Sequence, residues 1–265
     1  MYFQKLGQGP AIIILHGLYG SSDNWITIAR KLAPNYTIYL VDQRNHGRSP
    51  HSSEHTYEAM ACDLDEFMIE ENIEKAYIIG HSMGGKTAML FSALHPNKIL
   101  GLIVVDIYPG DYAALPEFSP HIIAHLKIAT SMLSVNLNNF NKRSEIENEL
   151  AKTINDINVR QFIMKNLFRK PDNTFAWRLN VPAISKAFPA IMGSIPLEGT
   201  QLSTFPVLFM RGEHSDYICP EQIAMIKKYY PEALIKTISD AGHWIHADNP
   251  EQFIEVLNKF LQCQN

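Results

Sequence analysis

Short apolar runs recur along the chain, each stopped by glycine, proline or polar residues: 11–15 (AIIIL), 76–79 (AYII), 99–105 (ILGLIVV) and 206–210 (PVLFM), with the more mixed runs 37–41 and 233–238 beside them. Apolar runs of this length without polar alternation predict strands covered on both faces of a parallel sheet. Residues 2–6 fit an edge strand ahead of the turn at 7–10. Between these runs the period changes to that of a helix. Trp25, Ile28, Ala29 and Leu32 share one face over 22–33, and Ala59, Leu64, Phe67 and Met68 share one over 56–72. Further helices are expected from about Met83, over 220–230 and over 249–261. Strands that alternate with helices predict a doubly wound, mostly parallel α/β sheet with right-handed crossovers.

The pattern breaks at Tyr108-Pro109-Gly110. From Asp111 to about Pro196 there are helix patterns over 121–132, 144–154, 156–168 and 181–192 and no convincing strand. Ser144 with Glu147 reads as a capping box for the second of them. The expected organisation is a core of residues 1–110 and 197–265, with 111–196 inserted as a helical lid.

Gly80-His81-Ser82-Met83-Gly84 stands between a strand pattern and a helix pattern. A G-x-S-x-G sequence in that setting is a nucleophile elbow, because small flanking residues let the backbone reverse sharply and lift the serine above the strand end. The N–H of Met83, at the helix start, then points to where an acyl oxygen gains negative charge. His16-Gly17-Leu18, after the strand at 11–15, offers the N–H of Leu18 as a second donor. Serine needs a base near its own position, and His243 follows the last strand in a loop freed by Gly242. Two aspartates could orient that histidine. Asp106 ends an apolar strand, where an unpartnered carboxylate would be costly, and Asp216 lies beyond the next strand.

Other polar residues read as structural. His81 is expected to point away from the serine and His246 to fall on the start of the following segment, and His16, His46 and His214 have no metal-ligand spacing. The loop 42–50 (DQRNHGRSP) is expected to be a network in which Asp42 pairs with the arginines. No cofactor and no metal are implied.

A chain of 265 residues, 46% hydrophobic and 19% charged, has the composition of an ordinary globule with a sizeable core. Net charge of −4 and the absence of any Lys/Arg block argue against nucleic-acid or anionic-membrane partners. Three scattered cysteines, Cys62, Cys219 and Cys263, suit neither a disulfide framework nor a zinc site and point to a reducing cytoplasm. The polar start MYFQKLGQGP and the lack of a long apolar run predict neither signal peptide nor membrane helix.

The segments HGLYGSSDNW, VDQRNHGRSP, GHSMGGKTAM, VVDIYPGDY, FAWRLNVP, RGEHSDYI and AGHWIHADNPEQF together resemble the YbfF-type acyl esterases of the α/β-hydrolase superfamily, from residue 11 to the C-terminus. The resemblance implies the α/β-hydrolase fold and cleavage of short- to medium-chain acyl esters or acyl thioesters, acyl-CoA among them, through an acyl-enzyme. The partner is then a small-molecule ester or thioester. It also implies Asp106 as the acid, Ser215 as support for the histidine, and Trp177 and Arg178 as residues facing either the substrate pocket or the core. Asp216 departs from the family pattern and keeps a swapped acid open. A carbon–carbon hydrolase or a lactonase with the same triad is the alternative chemistry, and a non-catalytic ligand sensor the alternative class.

Overall fold

A computed structural model describes residues 1–116, 119–197 and 204–263. In chain order the sheet domain begins with β1 (Phe3–Leu6), β2 (Ala11–Leu15), α1 (Ile26–Leu32), β3 (Thr37–Val41), α2 (Tyr57–Glu70), β4 (Ala76–His81), α3 (Met83–Leu94) and β5 (Ile99–Val105). The next segment holds α4 (Ser119–Ser134), α5 (Arg143–Ala151), α6 (Ile157–Met164), β6 (Leu167–Arg169), β7 (Phe175–Trp177) and α7 (Val181–Met192). The chain then returns to the sheet with β8 (Val207–Gly212), α8 (Pro220–Tyr229), β9 (Leu234–Ile238), α9 (Ile245–Asp248) and α10 (Pro250–Gln262).

Seven strands form one sheet in the order β1-β3-β2-β4-β5-β8-β9. Only β1 is antiparallel, pairing Phe3 with Val41 through Leu6 with Ile38 at the edge. The apolar runs are continuous because alternate residues serve two different cores. Ile13, Ile78 and Val104 pack on the side of α2 and α3, whereas Ile12, Ile14, Ile79 and Ile103 pack on the side of Trp25, α1 and α10. Ile12, Ile13 and Ile14 are all within 1% of full burial, each contributing about 1.5–3 kcal/mol. The sheet is therefore rigid where its carboxyl ends present the site residues.

The segment between β5 and β8 adds no strand to this sheet among the described residues, but it is not purely helical. β6 and β7 form a hairpin with Leu167 opposite Trp177 and Arg169 opposite Phe175. The helix expected to reach residue 168 stops at Met164. A four-residue turn closes the hairpin: Asn173 takes φ 67°, and Asp172 accepts the N–H of Thr174 at 2.9 Å. The signal was missed because three-residue strands are too short to show a period of two. The cap of α5 also differs from the expected box at Ser144. Its N-cap is Lys142, and Glu145 accepts the N–H groups of Asn141 and Lys142 at 3.0 and 3.1 Å.

The segment is tied to the sheet domain by amides. Asn166 donates to the carbonyl of Tyr19 at 2.8 Å, and Asn180 donates through its side chain to Asn45 at 2.9 Å and Ser52 at 3.0 Å. Among the described residues no helix is long and apolar enough to cross a membrane.

Candidate active site

Ser82 is the N-cap residue of α3, held at φ 51° and ψ −118° directly after β4. That conformation is strained for a side-chain-bearing residue, and the two glycines are what let the turn close. A Cβ on Gly80 would stand 2.2 Å from the carbonyl oxygen of Gly84, and one on Gly84 would stand 2.5 Å from that of Leu15. Beside Ser82 the backbone N–H groups of Met83 and Leu18 have no acceptor among the described residues. Met83 is the first residue of α3, so its N–H lacks an intrahelical partner by construction.

Two buried histidines fix the loop that carries Leu18. His16 donates from Nδ1 to the carbonyl of Gly17 at 2.9 Å and accepts the N–H of Gln43 on Nε2 at 3.0 Å. His46 accepts the N–H of Tyr19 on Nε2 at 3.2 Å and donates from Nδ1 to the carbonyl of Arg44 at 3.0 Å. Burial lowers the proton affinity of both, which keeps them in the neutral form that this pairing requires. The 42–50 loop is a structural network as expected, with a different wiring. Asp42 accepts the backbone N–H groups of Ser22 at 2.6 Å and Arg48 at 2.8 Å, while the Arg44 and Arg48 side chains pair with Asp63 and Asp23.

Asp106 sits just past β5 at φ 52° and is fully buried. Its Oδ2 lies 2.8 Å from Nδ1 of His243 and also accepts the hydroxyl of Ser215; its Oδ1 accepts the N–H of Gly212 at 3.0 Å. Three donors converging on one group is the hydrogen-bond set of an ionised carboxylate. Burial works the other way and raises its proton affinity, opposed by Ser215, Gly212 and the charge of Arg211. Asp216, the other candidate acid, has a side chain 74% exposed at the rim and faces His121 at 3.4 Å. The exit loop of β8 turns Ser215 inward and Asp216 outward, so the acid beside the imidazole is Asp106.

His243 follows β9 and keeps a side chain about one-fifth accessible, at 21%. Its ring stacks on Tyr217 with centroids 3.6 Å apart, and its carbonyl accepts Nε2–H of His81 at 2.8 Å. His81 is therefore a structural histidine, as expected, but one that holds the His243 backbone instead of facing away from the site. His246 stacks on Trp25 at 3.9 Å and supports the same loop from below. Burial and the neighbouring His121 lower the proton affinity of His243, leaving a neutral imidazole at neutral pH. With Nδ1 committed to Asp106, Nε2 is the nitrogen left to accept a proton. Among the described residues no hydrogen bond joins it to Ser82; apo acid–base pairs commonly tighten only around substrate.

Ser82 and His243 line a common cavity of about 250 Å³. Its far wall is apolar and comes from the segment between β5 and β8: Ile128, Val159, Phe162 and Ile163. A much smaller chamber of about 10 Å³, room for about one water-sized group, adjoins Ser82 on the side of Met83, walled by Tyr57, Tyr112, Ile191 and Met192. Trp177 and Arg178 line neither space. Arg178 lies over the Phe168 ring at 5.0 Å, donates its N–H to Asn166 and receives His51 on its carbonyl, so of the two expected placements the anchoring one is realised. His214 is exposed at the cavity mouth.

A family model for the alpha/beta hydrolase fold matches residues 10–250. The chain belongs to the α/β-hydrolase family. It is 33% identical to "Esterase YbfF" of Escherichia coli, over 97% of this chain and 95% of that protein. It is 36% identical to "sn-1-specific diacylglycerol lipase ABHD11" of Danio rerio, over 98% of this chain and 81% of that protein. Among solved structures, one titled "Marine microorganism esterase" superposes with a TM-score of 0.92 at 45% identity, covering 98% of each chain. In this α/β-hydrolase the cavity-lining residues to which sequence reasoning gave no role are Tyr217, Trp244 and Phe162. Trp244 adjoins His243 in the chain without any local sign that it lines a cavity, and Tyr217 and Phe162 reach the site only through the fold.

Proposed function

We propose that this α/β-hydrolase cleaves short- to medium-chain acyl esters or thioesters through an acyl-enzyme on Ser82. The observation that carries the reading is the buried Asp106–His243 pair at 2.8 Å, opening onto a cavity that Ser82 also lines. Ser82 Oγ attacks the acyl carbon as its proton passes to Nε2 of His243. Asp106 accepts Nδ1–H, which holds the tautomer and stabilises the imidazolium. The N–H groups of Leu18 and Met83 donate to the oxyanion; loss of one such donor costs about 3 kcal/mol in comparable sites. His243 then protonates the departing alcohol or thiol, and in the second half activates water to release the acid. No step calls on a cofactor.

Several features support this reading. The relatives carry esterase and lipase names, and the apolar cavity wall suits an acyl or alkyl chain better than a charged ligand. A net charge of −4 without a basic block fits a small-molecule partner better than nucleic acid. The segment 111–196 serves as the lid, since it contributes that wall. The test is hydrolysis of p-nitrophenyl acetate and butyrate, with an acyl-CoA assayed alongside for the thioester arm. Ser82→Ala is expected to lower kcat by about 10⁴-fold or more. Activity that survives the substitution, or is absent from the wild type, overturns the reading in favour of a ligand sensor.

A further inference from the structure

One turn after Ser82, α3 carries a lysine that no acyl-transfer step uses. Lys86 is 1% exposed, and its side chain runs beneath the inserted segment to the two points where that segment leaves and rejoins the sheet domain. Nζ donates to the carbonyl of Gly110 at 2.9 Å, of Gly193 at 2.5 Å and of Met192 at 3.4 Å. Met192 ends α7, whose last carbonyls have no intrahelical donor and carry the negative end of the helix dipole. An ammonium group is the complementary cap for them. Neighbouring donors address the same end: the Tyr57 hydroxyl reaches the carbonyl of Ile191 at 2.7 Å, and the Tyr112 N–H reaches that of Met192 at 2.9 Å. The N–H of Ile195 closes the neck on Pro109 at 3.0 Å.

Among the described residues this buried ammonium has neutral carbonyls as acceptors and the Tyr57 and Tyr112 rings beside it, which is costly for a charge, and a side chain of similar length without charge could fill the space. Burial brings Lys86 down to about 7, with the charge of Asp111 pulling the other way. What the lysine obtains in return is the position of Ile191 and Met192. These two residues, with Tyr57 and Tyr112, wall the smaller chamber beside Ser82.

The chemistry decides which part of a substrate enters that chamber. The departing group must lie where His243 can protonate it, in the larger cavity, which His243 lines and Met83 does not. The acyl group then falls on the opposite side, in the chamber that Met83 lines and His243 does not, Leu18 lining both. Resting on the acyl-transfer reading above, we propose that Lys86 is a positioning residue for acyl length: by clasping both necks of the inserted segment it keeps Ile191 and Met192 closed over the acyl chamber, which at about 10 Å³ has room for an acetyl-sized group at most and leaves the bulkier part to the leaving-group side.

The test is kcat/KM for p-nitrophenyl acetate, butyrate and octanoate on the full chain, in wild type, Lys86→Met, Lys86→Gln and Met192→Ala. In wild type the octanoate value is expected to fall at least about tenfold below the short esters, the scale on which pockets discriminate added methylenes. Lys86→Met raises the octanoate-to-acetate ratio by about fivefold or more, chiefly through KM, and Lys86→Gln, which retains a donor, lies between. Met192→Ala opens the wall without touching the clasp and shifts the ratio the same way. A ratio unchanged in the Lys86 variants that fold, with all three esters slowed alike, overturns the proposal, because a merely structural lysine predicts that result. So does a wild type that prefers octanoate, or a Met192→Ala profile identical to it. Failure of the wild type to cleave any of the three refutes the acyl-transfer reading itself, and the clasp proposal falls with it.

Discussion

The exit loops of β5 and β8 leave adjacent strands of one sheet, and each carries an aspartate. Asp106 is fully buried with three donors on it, whereas the Asp216 side chain is 74% exposed and meets His121 at 3.4 Å. The first loop bends at once, at φ 52°, and folds its carboxylate back under the rim; the second runs on to Ser215 before it turns. An exposed charge is screened by water and its pairing contributes little, but a buried one acts at close range on whatever it touches. The contrast teaches that the carboxylate's surroundings, more than its place in chain order, select the residue that can hold an imidazole.

Substitution at each loop can break or sharpen this contrast. The largest effect is expected from Asp106→Asn, which keeps the shape but presents an amide to Nδ1 and so favours the wrong tautomer; kcat for p-nitrophenyl butyrate should fall about 10⁴-fold. A loss of less than about tenfold, with Asp216→Asn the more damaging, would reverse the assignment. Ser215→Ala removes one of the three donors to Asp106, worth ~1 kcal/mol, and should slow kcat roughly fivefold without abolishing activity. Asp216→Asn alters a side chain that pairs with His121 at the rim and not with His243 or Ser82, and steady-state kinetics should put it within about twofold of wild type.

The smallest effect concerns pH. Burial and His121 hold His243 below its ordinary value of 6.5, so kcat/KM should decline only as pH falls below that value and the imidazole takes up its proton. His121→Asn removes the like charge, and the acid limb should move upward by less than about one pH unit. A downward move would mean that His121 acts on His243 through something other than its charge.

Much of the sheet was legible because its signal is local. Runs such as AIIIL are apolar at every position when two cores share the strand, and the G-x-S-x-G elbow is marked by glycines within five residues, although Gly84 is needed for clearance from Leu15 on the neighbouring strand as well. The inserted segment was less legible. Its hairpin strands span three residues each, and the α5 cap is made by Glu145, one turn into a charged stretch where several residues could cap. The Trp177-Arg178 pair has side chains suited to either a pocket or an anchor, and only the packing of Arg178 over Phe168 distinguishes the two.

What the sequence determined by itself was the alternation of strands and helices, the elbow that presents Ser82, and the short list of groups able to act with it. Those properties depend on sterics and hydrophobic period over a few residues. The tertiary structure alone decided that Asp106 meets His243 across 137 positions, that two chambers flank Ser82, and that Lys86 reaches both necks of the inserted segment. Burial, and the hydrogen bonds it makes obligatory, are set by residues distant in the chain, and no local pattern encodes them.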